Sequence, residues 1–443
     1  MTHPDPLEAP VSTTDTPAAP SPADRRKGLV AAAIGNGLEW FDWNAYAIFA
    51  VFFAPQFFPK DDPTAGTLST LLIFAVGFFF RPLGGALLAA FTDRHGRRAG
   101  LSLSVILMAG GSLLIAVSPT YEQAGLLAPI LLLLARIAQG LSTGGEFASS
   151  STYLAELAPP GRRGFYGSFI YVSTTLGTIA ATLLLTLLSA TLGREELSAW
   201  AWRIPFAIGA LLGVYGLYLR RTLEETEAFL LGKDRRVARP TLEVLRRHPG
   251  AALRVVGFTA GGTAAYYTFA VYLPTYAQKA HGMAPTGAQW ASVAAQVLMV
   301  LILPLLGSLS DRIGRKPLLI VFAAGFLLLV VPLFGLISSA PLSLFLVMSG
   351  GLLLFACYGA VAPVAMAELF PTEVRSAGLG LPYSLTVALF GGTAPYVVEQ
   401  LTAAGSGALY PWYIAALCLV SLVVYLTSKE TRDVSLARAG AAT

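Results

Sequence analysis

"DRHGRR", residues 93–98, returns 218 positions later as the end of "GSLSDRIGRK", residues 307–316. "ELAPPGRRGFYGS" (156–168) likewise returns after 212 positions as "ELFPTEVRSAGLG" (368–380). One match of this length carries little weight, but two motifs recurring in register indicate a duplicated unit. Every copy follows a long apolar run, so the duplicated unit is a set of hydrophobic spans.

Working outward, the 443 residues are 55% hydrophobic and only 12% charged, about half the charged share of an ordinary soluble domain. Lipid is the solvent this composition suits. Twelve apolar runs long enough to cross the hydrocarbon layer as helices lie near 29–57, 67–91, 100–118, 125–153, 164–191, 199–219, 252–280, 288–309, 317–338, 341–366, 376–401 and 408–427. The predicted fold is an all-α membrane protein of twelve transmembrane helices in two pseudo-symmetric six-helix halves, 28–220 and 251–428. Residues 1–27, rich in Pro, Ala, Ser, Thr and Asp, read as a disordered tail and not as a cleaved signal. Residues 221–250 read as a central loop and 429–443 as a second tail.

The net charge of +5 is a matter of topology. With the N-terminus in the cytoplasm, 24 of the 30 Lys and Arg, Arg220 included, fall on that side, three (Lys60, Arg194, Lys279) on the other, and Arg81, Arg136 and Arg203 inside spans. This is the positive-inside bias, and it places both termini in the cytoplasm and excludes nucleic acid as the reason for the basic charge. Cys357 and Cys418 both lie in apolar spans and form neither a disulfide framework nor a metal cluster. "GLSTG" (140–144) matches a nucleophile elbow but lies inside a span without a histidine partner, so Gly140 and Gly144 read as a close-packing face. There is no phosphate-binding G-x-x-x-x-G-K-[ST] loop. Neither an enzyme nor an ATP-driven pump is expected.

The D-R-x-G-R-[RK] loops, "RIAQG" in span four and the long central loop resemble the major facilitator superfamily. "GNGLEWFDW", "FFFRPLGG", "AWRIPFAIGA", "RRTLEET" and "GFTAGGTAAYYTF" are similar to its metabolite:proton symporters. The resemblance implies a monomer of the bacterial inner membrane that couples protons, with no other cofactor or metal, to uptake of a small organic anion by alternating access. It points first to α-ketoglutarate, with citrate, shikimate, a zwitterionic osmolyte or uncoupled transport left open. One departure is Ala89, where the family's loop motif has Gly; looser packing is expected there.

Charges inside the spans are the candidate site, since each costs about 2.5–3.5 kcal/mol at the bilayer centre unless partnered. On span one, Asn36, Glu39, Asp42, Trp43 and Tyr46 form one polar stripe expected to face a central cavity. Asn36 is counted with the substrate ligands, and Glu39 and Asp42 with proton coupling. Arg81 offers a planar fork for a carboxylate, which is also the ligand role the resemblance implies; a permanent ion pair with Glu39 or Asp42 is its rival reading. The resemblance ties Arg136 to proton coupling and Arg203 to a second carboxylate, while the residues alone also fit a salt bridge for the first and an interfacial anchor for the second. Glu146 is a further protonation candidate and Tyr267 a substrate ligand or a packing residue. The loops imply a cytoplasmic gate in which Asp93, Arg94, Arg97, Asp311, Arg312 and Arg315 pair across the halves, with the aspartates at the N-termini of spans eleven and five. Glu156 with Arg163, and Glu368 with Arg375, extend it.

Overall fold

The computed structural model describes residues 21–58, 63–221, 225–226, 229–230 and 237–434. Most of the expected N-terminal tail, parts of the central loop and residues 435–443 lie outside these. All regular elements among the described residues are helical. The main ones are α1 (Pro22–Phe57), α2 (Pro63–His95), α3 (Arg97–Val117), α4 (Leu127–Leu157), α5 (Arg163–Thr191) and α6 (Ile204–Arg221), followed by α7 (Pro249–Tyr266), α8 (Pro285–Ile313), α9 (Lys316–Gly335), α10 (Pro341–Gly359), α11 (Arg375–Thr386) and α12 (Tyr410–Thr427). Nine helical stretches among the described residues are long and apolar enough to cross a membrane, which makes this an all-α, multi-pass membrane fold. The expected spans near 29–57, 67–91 and 252–280 fall on α1, α2 and α7, which hold or adjoin the polar side chains of the candidate site.

Helix α1 begins earlier than expected. The Ser21 hydroxyl accepts the Asp24 backbone N–H at 3.2 Å and Pro22 occupies the first turn, so residues 22–27 are helix and not tail.

Glycines bring the helices into backbone contact. A Cβ on Gly144 of α4 would stand 2.0 Å from the Arg81 carbonyl oxygen, and one on Gly84 of α2 would stand 2.1 Å from that of Leu141. This is the close packing expected of Gly140 and Gly144, and it fixes the backbone of Arg81. Helix α2 meets α11 in the same way: Gly85 and Gly380 each leave room for the other's carbonyl, at 2.3 and 2.2 Å from an added Cβ. Ala89 is fully buried there against Gly380. The looser packing expected at Ala89 is therefore overturned, because the missing glycine is supplied by the opposing helix.

Helix α7 does not end at Tyr266. It widens into a π turn, Tyr267–Tyr272, and resumes as Leu273–His281. A second π turn, Val387–Gly391, follows α11. Such turns shift the facing of side chains and recur at functional sites. Here Tyr267 packs over Gly391, where an added Cβ would lie 2.7 Å from its ring.

Gly144→Val should leave too little space for the Arg81 backbone and lower stability by about 1–3 kcal/mol or more. Thermal melting of the detergent-purified variant would read this as a clear fall in Tm, while Gly110→Val, whose added Cβ meets nothing within 4 Å, should melt like the parent.

Candidate substrate and proton site

Arg81 is buried at the centre of an aromatic box. Its guanidinium carbon lies 4.1 Å from the Trp43 ring centre, 4.6 Å from Phe78 and 5.8 Å from Trp40, and Nη1 donates to the Tyr267 hydroxyl at 3.2 Å. Its Nε and Nη2 are buried with no hydrogen-bond partner. Among the described residues it forms no ion pair, so the rival reading of a permanent bridge to Glu39 or Asp42 is not what the structure holds. Such orphaned donors are costly unless something else accepts from them. Sequence reasoning named Arg81 and Tyr267 separately as candidate substrate ligands, and the structure brings them together at the π turn.

Arg136 sits between Trp43 and Tyr46, 4.3 and 4.0 Å from their ring centres. Its Nη1 donates to Gln139 Oε1 at 2.7 Å, Gln139 Nε2 donates to Ser112 Oγ at 2.9 Å, and the Ser112 hydroxyl donates to Asp42 Oδ2. A continuous polar chain thus joins Arg136 to Asp42, which explains why R-x-x-Q-G needs its glutamine. Asp42 Oδ1 is buried without a partner and packs on Gly209, where an added Cβ would stand 1.9 Å away.

Glu39 lies beside the Thr143 hydroxyl, within electrostatic reach of Glu146, Arg81 and Arg220. Glu146 is committed elsewhere. It accepts Arg220 Nη2 at 2.7 Å, the Ser150 hydroxyl at 2.9 Å and the Ser104 hydroxyl. Arg220, expected among the exposed loop cations, is instead completely buried. It reaches back from the end of α6 into space that Gly35 leaves open, where an added Cβ would stand 1.8 Å from Nη2. Sequence reasoning missed it because it lies at the edge of an apolar run and next to Arg221, and both look like positive-inside charge.

Two expected ligands are not brought to Arg81. The Asn36 amide donates to Ile170 O, Ser173 Oγ and Thr174 Oγ1 at 2.8–3.0 Å and ties α1 to α5. The polar stripe of α1 therefore splits, with Asn36 toward α5 and Asp42 toward α3 and α6. Arg203 lies against Trp202 and donates to the Ser118 carbonyl at 2.9 Å, at the end of α3 away from Arg97.

At the face carrying the D-R-x-G-R loops, the sequence repeat becomes a repeated constellation. Asp93 accepts the backbone N–H of Ser376 and Ala377, at the start of α11, and Arg97 Nη1 at 2.7 Å. Asp311 accepts those of Gly164 and Phe165, at the start of α5, and Arg315 Nη1 at 2.8 Å. Each aspartate satisfies orphan donors and the positive end of a helix, as expected. The glutamates pair the other way from the expectation. Glu156 holds Arg97 at 3.0 Å and Arg375 at 2.5 Å, while Glu368 holds Arg315 at 3.5 Å and Arg163 at 3.4 Å. The reason is geometric: Arg163 and Arg375 open the helices that their aspartates cap, so each points at the opposite repeat. Arg94 and Arg312 are exposed and outside both clusters.

A third repeat completes each cluster and was not read from the sequence. Glu225 accepts the N–H of Arg97 and Arg98 while the Thr226 hydroxyl donates to Glu156. Glu430 accepts those of Arg315 and Lys316 while Thr431 donates to Glu368. The signal was present as "EET" and "KET" after spans six and twelve. Burial holds the Glu225 carboxyl above its ordinary range despite its backbone donors. At Glu430, less deeply set, backbone donors outweigh burial and hold the carboxyl below it.

Residues 28–260 match the family described as "Sugar (and other) transporter" and residues 262–442 match "Major Facilitator Superfamily". The chain is 40% identical to the alpha-ketoglutarate permease of Escherichia coli K12, over 90% of this chain and 92% of that one. It is 34% identical to the citrate-proton symporter of Klebsiella pneumoniae (91% and 92% covered) and 32% identical to the proline/betaine transporter of Salmonella typhimurium (92% and 84%). Among solved structures, the proton:xylose symporter XylE bound to 6-bromo-6-deoxy-D-glucose superposes with a TM-score of 0.79 at 20% identity, over 95% of this chain and 99% of that one. The partially occluded inward open XylE of E. coli scores 0.69 at 19% identity, covering 94% and 100%.

The crossed pairing is open to a double-mutant cycle on purified protein. Glu156→Gln with Arg375→Gln should show a coupling of about 1–3 kcal/mol, and Glu156→Gln with Arg163→Gln less than about 0.5 kcal/mol. Equal coupling in the two cycles would contradict the pairing.

Proposed function

The chain belongs to the major facilitator superfamily, among its metabolite:proton symporters, and from that premise we propose that it carries α-ketoglutarate together with protons. At the coarser level it is a multi-pass protein of the bacterial inner membrane, a transporter and not an enzyme, moving a small polar or charged solute with protons. The finer reading takes the twelve expected spans as two six-helix halves rocking about a central site, in a monomer with both termini and the D-R-x-G-R face in the cytoplasm. In that frame the Asp93 and Asp311 clusters serve as the fasteners of a cytoplasmic gate, a reading supported by their contacts between α2 and α11 and between α5 and α8.

The observation that carries the substrate class is the pair of buried, unpartnered donors on Arg81. A guanidinium fork with two free N–H groups, walled by aromatic rings, accepts a carboxylate. Tyr267, already on Nη1, is placed to orient it. Asn36 and Arg203 drop out of the ligand set, being engaged elsewhere.

Coupling follows from counting charge. Arg81, Arg136 and Arg220 stand against Glu39, Asp42 and Glu146, all buried, so the empty site is neutral with every acid ionised. An incoming anion then leaves uncompensated charge in the membrane unless acids take up protons, one per negative charge. Glu146 is held by Arg220, which leaves Glu39 and Asp42 as the carriers. Asp42 also has an unsatisfied buried oxygen, whose cost a proton removes. Arg136 senses the state of Asp42 through Gln139 and Ser112.

A second reading, a zwitterionic osmolyte, is favoured by the aromatic wall beyond Arg81, where Trp40 and Tyr266 lie 5.8 Å apart and Tyr266 and Tyr171 likewise. Such rings hold quaternary ammonium groups.

Uptake of labelled α-ketoglutarate into proteoliposomes decides between them. An inward proton gradient should drive accumulation. Arg81→Ala should abolish it, since truncating a partner of a buried charge pair costs about 2–5 kcal/mol, and Tyr267→Phe should raise KM about fivefold. Betaine uptake without α-ketoglutarate uptake would favour the second reading. Equilibration that ignores the gradient would refute symport.

A further inference from the structure

Two cavities of opposite character meet at the start of α5. One is a polar cup of about 390 Å³ formed by Arg162 and Phe165 with Ser308, Asp311 and Arg312 at the end of α8. The other is an apolar groove of about 600 Å³ between α1, α5 and α6. They join where Phe165, in the cup, meets Phe169, in the groove, with ring centres 5.3 Å apart. Phe165, Phe169, Val172 and Leu176 recur by threes and fours, so they form one stripe of α5 with Arg162 at its head. Leu176 on α5 and Val30 on α1 are half exposed, which puts the groove on the lipid-facing surface.

We propose that this paired cavity is a binding site for one anionic phospholipid, with its phosphate in the cup on Arg162 and Arg312 and an acyl chain in the groove. The dimensions fit. Along α1 the groove runs from Leu29 to Phe41, a rise of about 18 Å, against about 15 Å for the hydrocarbon of one leaflet.

The charge fits as well. Arg162 and Arg312 are exposed and take no part in the two clusters around Glu156 and Glu368. Asp311, the acid that lines the cup, is already engaged by Arg315 and by two backbone N–H groups. Arg26, also exposed, stands one turn before the groove on α1. A free phosphate would use the cup alone, and an uncharged lipid the groove alone. An anionic phospholipid uses both.

The test is native mass spectrometry of the full-length, delipidated protein titrated with palmitoyl-oleoyl phosphatidylglycerol, the matching phosphatidylethanolamine, or glycerol 3-phosphate. One phosphatidylglycerol should be retained in preference to phosphatidylethanolamine and should not be displaced by equimolar glycerol 3-phosphate. Arg162→Gln with Arg312→Gln should weaken binding roughly 30-fold, about fivefold per arginine, and the corresponding Lys pair should retain most of it. Ala180→Trp, which fills the groove without touching a charge, should weaken it too. Melting temperatures matched to the parent would show that the variants fold. Equal retention of both lipids, indifference to the Gln pair, or displacement by glycerol 3-phosphate would overturn the proposal. None of these outcomes depends on which solute is transported.

Discussion

Lipid offers no hydrogen bonds, so every charge the bundle buries must be answered from within it. That constraint organises the molecule. Arg97 and Arg375 converge on Glu156, Arg163 and Arg315 on Glu368, and Arg220 on Glu146. Arg136 is met by rings and by a glutamine. At Arg81 two buried donors stay open, and among the described residues no ion pair answers its charge. Arg97, Arg220, Arg315 and Arg375 each meet an acid, and it is at Arg81 that we place the carboxylate of the proposed substrate.

Backbone contact makes this neutralisation possible. Side chains as long as arginine meet acids on other helices only if the helices are close, and the glycines of α2, α4 and α11 let carbonyl oxygens replace side chains at the crossings. Gly35 and Gly209 do the same for charged groups directly, leaving room for the Arg220 guanidinium and the Asp42 carboxylate. Small residues in this sequence are therefore as much a part of its electrostatics as the charged ones.

The all-α membrane class, the repeated loop motifs, the capping aspartates and the separate candidacies of Arg81 and Tyr267 were legible in the sequence, because apolar runs and loop motifs report local chemistry. Partner choice among charges was not. Glu156 lies seven positions before Arg163 and 219 before Arg375, and proximity along the chain favoured the wrong partner. Asn36 shared a helical stripe with Glu39 and Asp42, yet one stripe can touch different helices at its two edges. Arg220 was hidden by its neighbour Arg221, and the π turn at Tyr267 by a sequence that reads as plain helix. Each miss concerns where a long side chain goes once distant helices pack.

The two charge clusters share a plan but not a strength. Around Glu156 the three charged side chains are sealed from solvent with contacts of 2.5 and 3.0 Å, whereas Glu368 reaches its arginines at 3.4 and 3.5 Å and Arg163 remains partly wet. The repeated motifs build a matched pair of fasteners, and the differing distances make one a rivet and the other a button. By these distances the seam between α5 and α8 is held more loosely than the seam between α2 and α11, so two fasteners of one plan need not resist being pulled apart equally.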